Sequence, residues 1–276
     1  MPGRVPPGSL GGMTTAQLTV GELLRDWRER RRRSQLEVAI AADVSARHLS
    51  FIETGRSGPS RAMIDRLSEE LEVPLRERNR LYLAAGFAPV HQEQPLDDLG
   101  VVRSTVEAVL AAHEPYPACA VDVRWDVIAT NQPMEQFLAP LPDALRQPRL
   151  NMLRATLHPD ALAAQVRNYA QWRAHVVRRV RRQLDRTAAE GLAELLAEVE
   201  GYPVPSGGDE EAPTGGGGAL PVLPLSLRTT FGDLSFLYVL SVIGAPRDVT
   251  VDEIAVETMF PADDATRQVL LGIARG

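Results

Sequence analysis

The chain has 276 residues, 44% of them hydrophobic and 24% charged, the composition of a folded globular protein with room for one large or two smaller domains. Its single cysteine, Cys119, excludes an internal disulfide framework and fits a reducing cytoplasm, and no run of about eighteen apolar residues offers a transmembrane helix. The net charge of −6 is unevenly spread: residues 1–88 carry 14 arginines against 11 acidic residues, and residues 89–276 carry 16 against 25. A segment that tolerates phosphate therefore precedes an acidic body.

Residues 1–18 open "MPGRVPPGSLGGM". Proline and glycine dominate and no apolar signal-peptide core is present, so this stretch reads as a disordered tail. Five helix signals then follow between Val20 and Phe87. Val20, Leu23, Leu24 and Trp27 recur at helical spacing, with arginines on the other face. Ser34 and Glu37 form a capping box before Leu36, Val38, Ala39 and Ile40. Ser45 caps a third helix, with Val44 and Leu49 as a hydrophobic staple and Gly55 as its stop. Ser60 caps a fourth, carrying Met63, Ile64, Leu67 and Leu71, and Pro74 suits the first position of a fifth that ends at Gly86. This predicts a compact all-α domain over 19–88.

The proline-punctuated stretch over 89–100 reads as a linker. Beyond it the runs 118–123 and 125–130 are strand-like, and Asn131 can cap a helix through Met134, Phe137 and Leu138. Residues 159–199 read as helical, and 201–221 as a mobile Gly-rich loop. Two strands are expected around a Gly232-Asp233 turn. Thr250 and Glu253 cap one helical turn, 254–260 forms a third late strand, and a helix closes the chain. The second domain, 101–276, is therefore α+β with an antiparallel sheet whose helices lie on one side.

The second and third helices, separated by three or four residues, make a helix-turn-helix pattern. With Leu49 and Ile52 turned to the core, Arg47, Ser50, Phe51 and Thr54 point outward and Ala46 and His48 lie on the flanks. Arg47 can meet guanine in a bidentate way, and Phe51 or Ala46 a thymine methyl. Gln35 and Arg56 sit at helix ends where phosphate is gripped. Ser45 and Arg61, at the starts of the third and fourth helices, complete the candidate DNA-facing set. The plain alternative is a five-helix bundle whose exposed residues do nothing.

The stretch "LRDWRERRRRSQLEVAIAADVSARHLSFIETG" resembles the Cro-type (XRE) helix-turn-helix regulators in its S-Q start of helix two, its V-S turn and its E-x-G ending. The resemblance implies that Gln35, Ala46, Arg47, Ser50 and Phe51 occupy groove or phosphate positions. It also implies an internal ion pair between Arg28 and Glu53. Further on, "VRWDVIATN", "NMLRATLHPD", "YAQWRAH" and "FPADDAT" resemble the MmyB-type regulators, which join such a reader to a PAS-like ligand-binding domain.

Nothing in the chain points to an enzyme. The five histidines are scattered, "GGGG" at 215–218 precedes no phosphate-binding helix, and no G-x-S-x-G occurs. Asp263-Asp264 reads as a helix cap, and Arg178, Arg179, Arg181 and Arg182 as a solvated helix face. No cofactor or metal is expected. The expected partners are a double-stranded operator, an inverted repeat read by a homodimer, and a small apolar ligand; a membrane is not among them. Trp125, Trp172, Phe236 and Tyr238 are candidate pocket residues. Arg154 and His158 would present a cationic pair to a long-chain acid, unless Arg154 pairs internally with Glu257 or Asp122. The alternatives are that these residues only fill a core, and that the second domain serves only for dimerisation.

Overall fold

The computed structural model describes residues 18–205 and 222–274, and the chain divides after Val90 into two units. Residues 1–17 of the expected tail and 206–221 of the expected Gly-rich loop lie outside the described residues.

The N-terminal unit holds α1 (Val20–Arg30), α2 (Gln35–Ala41), α3 (Ala46–Glu53), α4 (Arg61–Glu70) and α5 (Leu75–Ala84). Thr19/Glu22 and Ser34/Glu37 close capping boxes, and the Ser45 and Ser60 side chains accept from the third backbone N–H beyond them. Each cap satisfies helix-end donors that would otherwise be orphaned. Pro74 stands one residue earlier than expected, as the N-cap of α5 with ψ 154°, because its extended backbone precedes the helix. Gly55 ends α3 with φ 71°, a conformation that suits glycine. Gly21 serves contact instead: a Cβ there would lie 2.2 Å from the Ile52 carbonyl oxygen, so only glycine lets α1 rest on the end of α3. On α2, Val38 and Ala39 are buried while Leu36 and Ile40 face outward.

The C-terminal unit opens with a 3-10 turn at Leu96–Asp98 and α6 (Gly100–Ala112). Then come β1 (Ala118–Val121), β2 (Val127–Thr130), α7 (Gln132–Leu138), α8 (Asp143–Arg146) and α9 (Met152–Leu157). After a 3-10 turn come α10 (Tyr169–Thr187) and α11 (Leu192–Glu200), followed by β3 (Leu225–Thr229), β4 (Gly232–Val242), α12 (Val249–Asp252), β5 (Ala255–Pro261) and α13 (Asp264–Ile273). The sheet order is β2-β1-β5-β4-β3, antiparallel throughout.

Helices cover both faces of this sheet, not one. The α10 side carries the larger core, including Trp172, Val176 and Val180, while α6 lays Val106 and Leu110 on Ala118, Ala120, Ile254 and Val256. The small alanines of β1 let α6 approach. The helical stretch expected over 159–199 is broken twice, by the 3-10 turn at Leu162–Gln165 and by left-handed Ala188 and Gly191. The β3–β4 turn falls on Thr230 and Phe231, with Gly232 at φ 111° as the first strand residue. Neither turn residue has positive φ, so the chain reverses without a primed turn and the glycine absorbs the left-handed step. Asp248, not Thr250, caps α12. The expected linker joins this unit early: Gln92 accepts the Val249 N–H at 2.8 Å and the Thr250 hydroxyl donates to the Gln94 carbonyl at 2.7 Å.

Candidate functional site

Helix α3 buries Leu49 and Ile52 and leaves Arg47 and Thr54 exposed, with Ala46, His48, Ser50 and Phe51 half-buried beside them. The Arg47 and Arg56 guanidinium groups stand 5.3 Å and 5.8 Å from the Phe51 ring centre. The ring thus steadies two cations at one surface while their charge stays hydrated. The Thr54 hydroxyl donates to the Ser50 carbonyl at 2.7 Å, and the exposed Ser45 side chain accepts from the His48 N–H. Arg61, also exposed, lies over Tyr82 and Phe87 at 5.9 Å and 5.0 Å, so its direction is set from α5 and the turn after it.

Behind this surface Arg28 and Glu53 meet in a fork. Arg28 Nε and Nη2 donate to the two Glu53 oxygens at 2.7 Å and 2.9 Å, and Nη1 donates to the Arg33 carbonyl at 3.0 Å. Gln35 Nε2 donates to Glu53 Oε2 at 2.7 Å. The side chains of the pair keep only 11% and 3% of their exposure. Buried charges survive when every donor is matched, and here they lock α1 and the start of α2 to the end of α3. Gln35 therefore holds the reader helix through one amide N–H and keeps its oxygen and its second N–H for other partners.

In the C-terminal unit Trp125, Trp172, Phe236 and Tyr238 come together around one cavity, closed by Met152, Leu153 and Thr156 of α9 and by Arg179 and Glu257. Trp125 occupies the turn between β1 and β2 with φ 68°. That turn is held by Asp122, whose Oδ1 accepts the N–H groups of Arg124 and Asp126. Trp125 Nε1 donates to Gln183 Oε1 at 2.8 Å, and Gln183 Nε2 donates to the Val123 carbonyl. The free space measures about 30 Å³, room for one water-sized sphere.

Arg179 is the cation of this cavity. Its guanidinium carbon lies 4.4 Å from the Trp125 ring centre and 4.9 Å from that of Tyr238, and Nη1 donates to Glu257 Oε1 at 3.2 Å. Burial pushes the Glu257 carboxyl up, and Arg179 offsets part of the rise. His175 shares a hydrogen bond with the Tyr238 hydroxyl, and burial, then Arg179, Arg178 and Arg182, push its pKa down. Two of the buried side-chain donors without a hydrogen-bond partner among the described residues, Arg179 Nη2 and Trp172 Nε1, belong to residues that line this cavity. A buried unsatisfied donor costs about 1–3 kcal/mol, so both side chains are held there at a cost in stability.

Arg154 and His158 are elsewhere. Met152, Leu153 and Thr156 take the cavity side of α9, which leaves Arg154 on the other side. There its Nε and Nη2 donate to Glu198 at 2.8 Å and 2.7 Å, Tyr202 donates to the same carboxylate, and the His158 ring meets Tyr202 edge-on. The partner is neither Glu257 nor Asp122. The arginine cluster on α10 also divides: Arg178, Arg181 and Arg182 are exposed as expected, whereas Arg179 turns inward. Its position carries a signal, since residues 172, 176, 179 and 183 follow one stripe of α10 that mixes apolar with polar side chains.

Among the described residues no helix is long and apolar enough to cross a membrane, and no group of three His, Cys, Asp or Glu could hold a metal ion. A capped reader helix in one unit and an aromatic cavity in the other define a DNA-binding regulator that answers to a small molecule. Residues 19–81 match the model of a helix-turn-helix domain, and residues 102–271 match that of the MmyB-like transcription regulator ligand binding domain. That second match spans more than half of the chain, which thus belongs to the MmyB-like family. No curated protein matches it.

Proposed function

We propose that the chain is a non-enzymatic cytoplasmic regulator of the XRE type that reads an inverted-repeat operator as a homodimer. Its PAS-like sheet domain would hold a small apolar acid, of the long-chain class, with the acid group on Arg179. The order β2-β1-β5-β4-β3 supports the PAS-like reading. The pair of buried unpartnered donors, Arg179 Nη2 and Trp172 Nε1, carries the ligand reading. A carboxylate has the oxygens to take both, and the aromatic walls suit an apolar chain. Arg179 thus replaces Arg154 as the anchor.

On DNA, Arg47→Ala should cost roughly 1–3 kcal/mol of specific binding and relax one base position. Arg56→Ala should weaken all sequences alike and flatten the salt slope by about one. Half-sites should lie about 10 base pairs apart or a multiple of that. Operator selection followed by binding titrations checks all three.

The ligand test is a thermal-shift screen of fatty and polyketide-like acids against wild type, Arg179→Met and Arg154→Ala. A hundredfold excess over the dissociation constant adds about 2.7 kcal/mol, expected in wild type and Arg154→Ala but not in Arg179→Met. One observation favours a second reading. The free space of about 30 Å³ lies far below the roughly 300–1,000 Å³ of ligand pockets, as in a packed core whose domain only dimerises. A screen without any shift selects that reading.

A further inference from the structure

Strand β4 is eleven residues long, but β3 pairs only with its first half, from Gly232 to Phe236. From Leu237 to Val242 it is paired with β5 on one side, and among the described residues no strand lies against the other. Edges of this kind are normally blunted by a charge, a proline or a bulge. Here the run from Leu234 to Gly244 contains neither a charged residue nor a proline, and Val239, Leu240 and Val242 are 48%, 42% and 70% exposed. Val239 faces the α6 side of the sheet and Leu240 and Val242 the α10 side, so the edge is apolar on both faces.

We propose that this edge is an interface with a second copy of the chain, joined by antiparallel pairing of Leu237–Val242 with the same segment. Three observations favour self-pairing over another partner. Antiparallel pairing about a point near Val239 and Leu240 is two-fold symmetric, which gives one patch on both copies. The slot is bracketed for one such strand, by the start of β3 at one end and by left-handed Ala245 (φ 51°) at the other. The run from Leu234 to Gly244 carries no charge, so two copies paired along it oppose no like charges there, although residues 89–276 carry a net charge of −9. The interface rests on the dimeric reading above and gives it a location.

The test uses the full chain. Sedimentation of wild type should show two chains, and Val239→Arg combined with Val242→Arg should show one, with an unchanged far-ultraviolet circular dichroism spectrum. Val239→Cys supplies a second measurement, because Cys119 is buried and silent. A short bismaleimide should join two chains at position 239 and should fail to join wild type. If the double variant loses its spectrum, the cross-link alone decides. A dimer that survives the double substitution and does not cross-link overturns the edge assignment but leaves two half-sites on the operator. A chain that stays single on its operator overturns both.

Discussion

In the N-terminal unit Glu53 accepts two N–H groups from Arg28 and one from Gln35, whereas in the C-terminal unit Glu257 accepts one from Arg179, at 3.2 Å. Burial does not separate the two pairs. Their side chains keep 11% and 3% of their exposure in the first and 16% and 8% in the second. What differs is how many donors are spent. Arg28 turns its third nitrogen to a backbone carbonyl, while Arg179 keeps Nη2 unpartnered between two aromatic rings. A saturated buried pair fixes how helices cross. An unsaturated one leaves a buried donor unmatched, at a cost in stability.

Glu53→Gln should have the largest effect. Loss of the carboxylate leaves Arg28 buried and uncompensated, so the N-terminal unit should lose about 3–5 kcal/mol, read as a lower denaturant midpoint in the full chain. An unchanged midpoint would mean the fork is not structural. Arg179→Met should cost less, roughly 1–3 kcal/mol, because Glu257 can take up a proton once its partner is gone. A carboxyl whose folded pKa lies above its ordinary value contributes stability that is present below about 4.5 and is lost as the pH rises through the folded value. The deficit of Arg179→Met should therefore be larger at pH 8 than at pH 5.

His175 gives a smaller, graded test. Its folded pKa is depressed below 6.5, so the unfolded chain binds the proton more readily. Stability is full above pH 6.5 and falls as the pH drops through the folded value. Thermal denaturation of His175→Gln across this range should be flatter than that of wild type. The smallest effect belongs to Arg154→Ala. The Arg154–Glu198 pair is about one-third exposed on both sides, and such pairs are worth under about 1 kcal/mol.

The N-terminal unit was largely legible because its instructions are local. Ser34, Ser45, Ser60 and Gly55 each mark a helix end through a hydrogen bond or a φ value within four residues. The C-terminal site depends on contacts across long separations, such as Arg179 with Glu257 and Trp125 with Gln183. Four aromatic residues of the cavity stand out in a chain only 5% aromatic, so the sequence marks them. It does not mark the cation, because Arg179 sits in a run of arginines that spacing alone assigns to solvent. Arg154 shows the opposite: isolated beside apolar residues, it resembles an anchor, yet α9 turns it to Glu198. Helix α6 carries no start signal in the sequence, since its first residue, Gly100, follows the backbone of Leu99 without any side-chain cap.

Cys119 lies on β1, fully buried, directly opposite Glu257 of β5. Burial, helped by that carboxylate, holds its thiol far above the range in which it reacts. The chain thus carries one buried thiol, opposite a residue that lines the aromatic cavity. A thiol reagent can reach it only when the core around it opens, so the labelling rate counts such openings. If the proposed acid settles between Trp125, Trp172 and Arg179, it should slow that clock, and the slowing would measure occupancy without a label on the compound or knowledge of the operator.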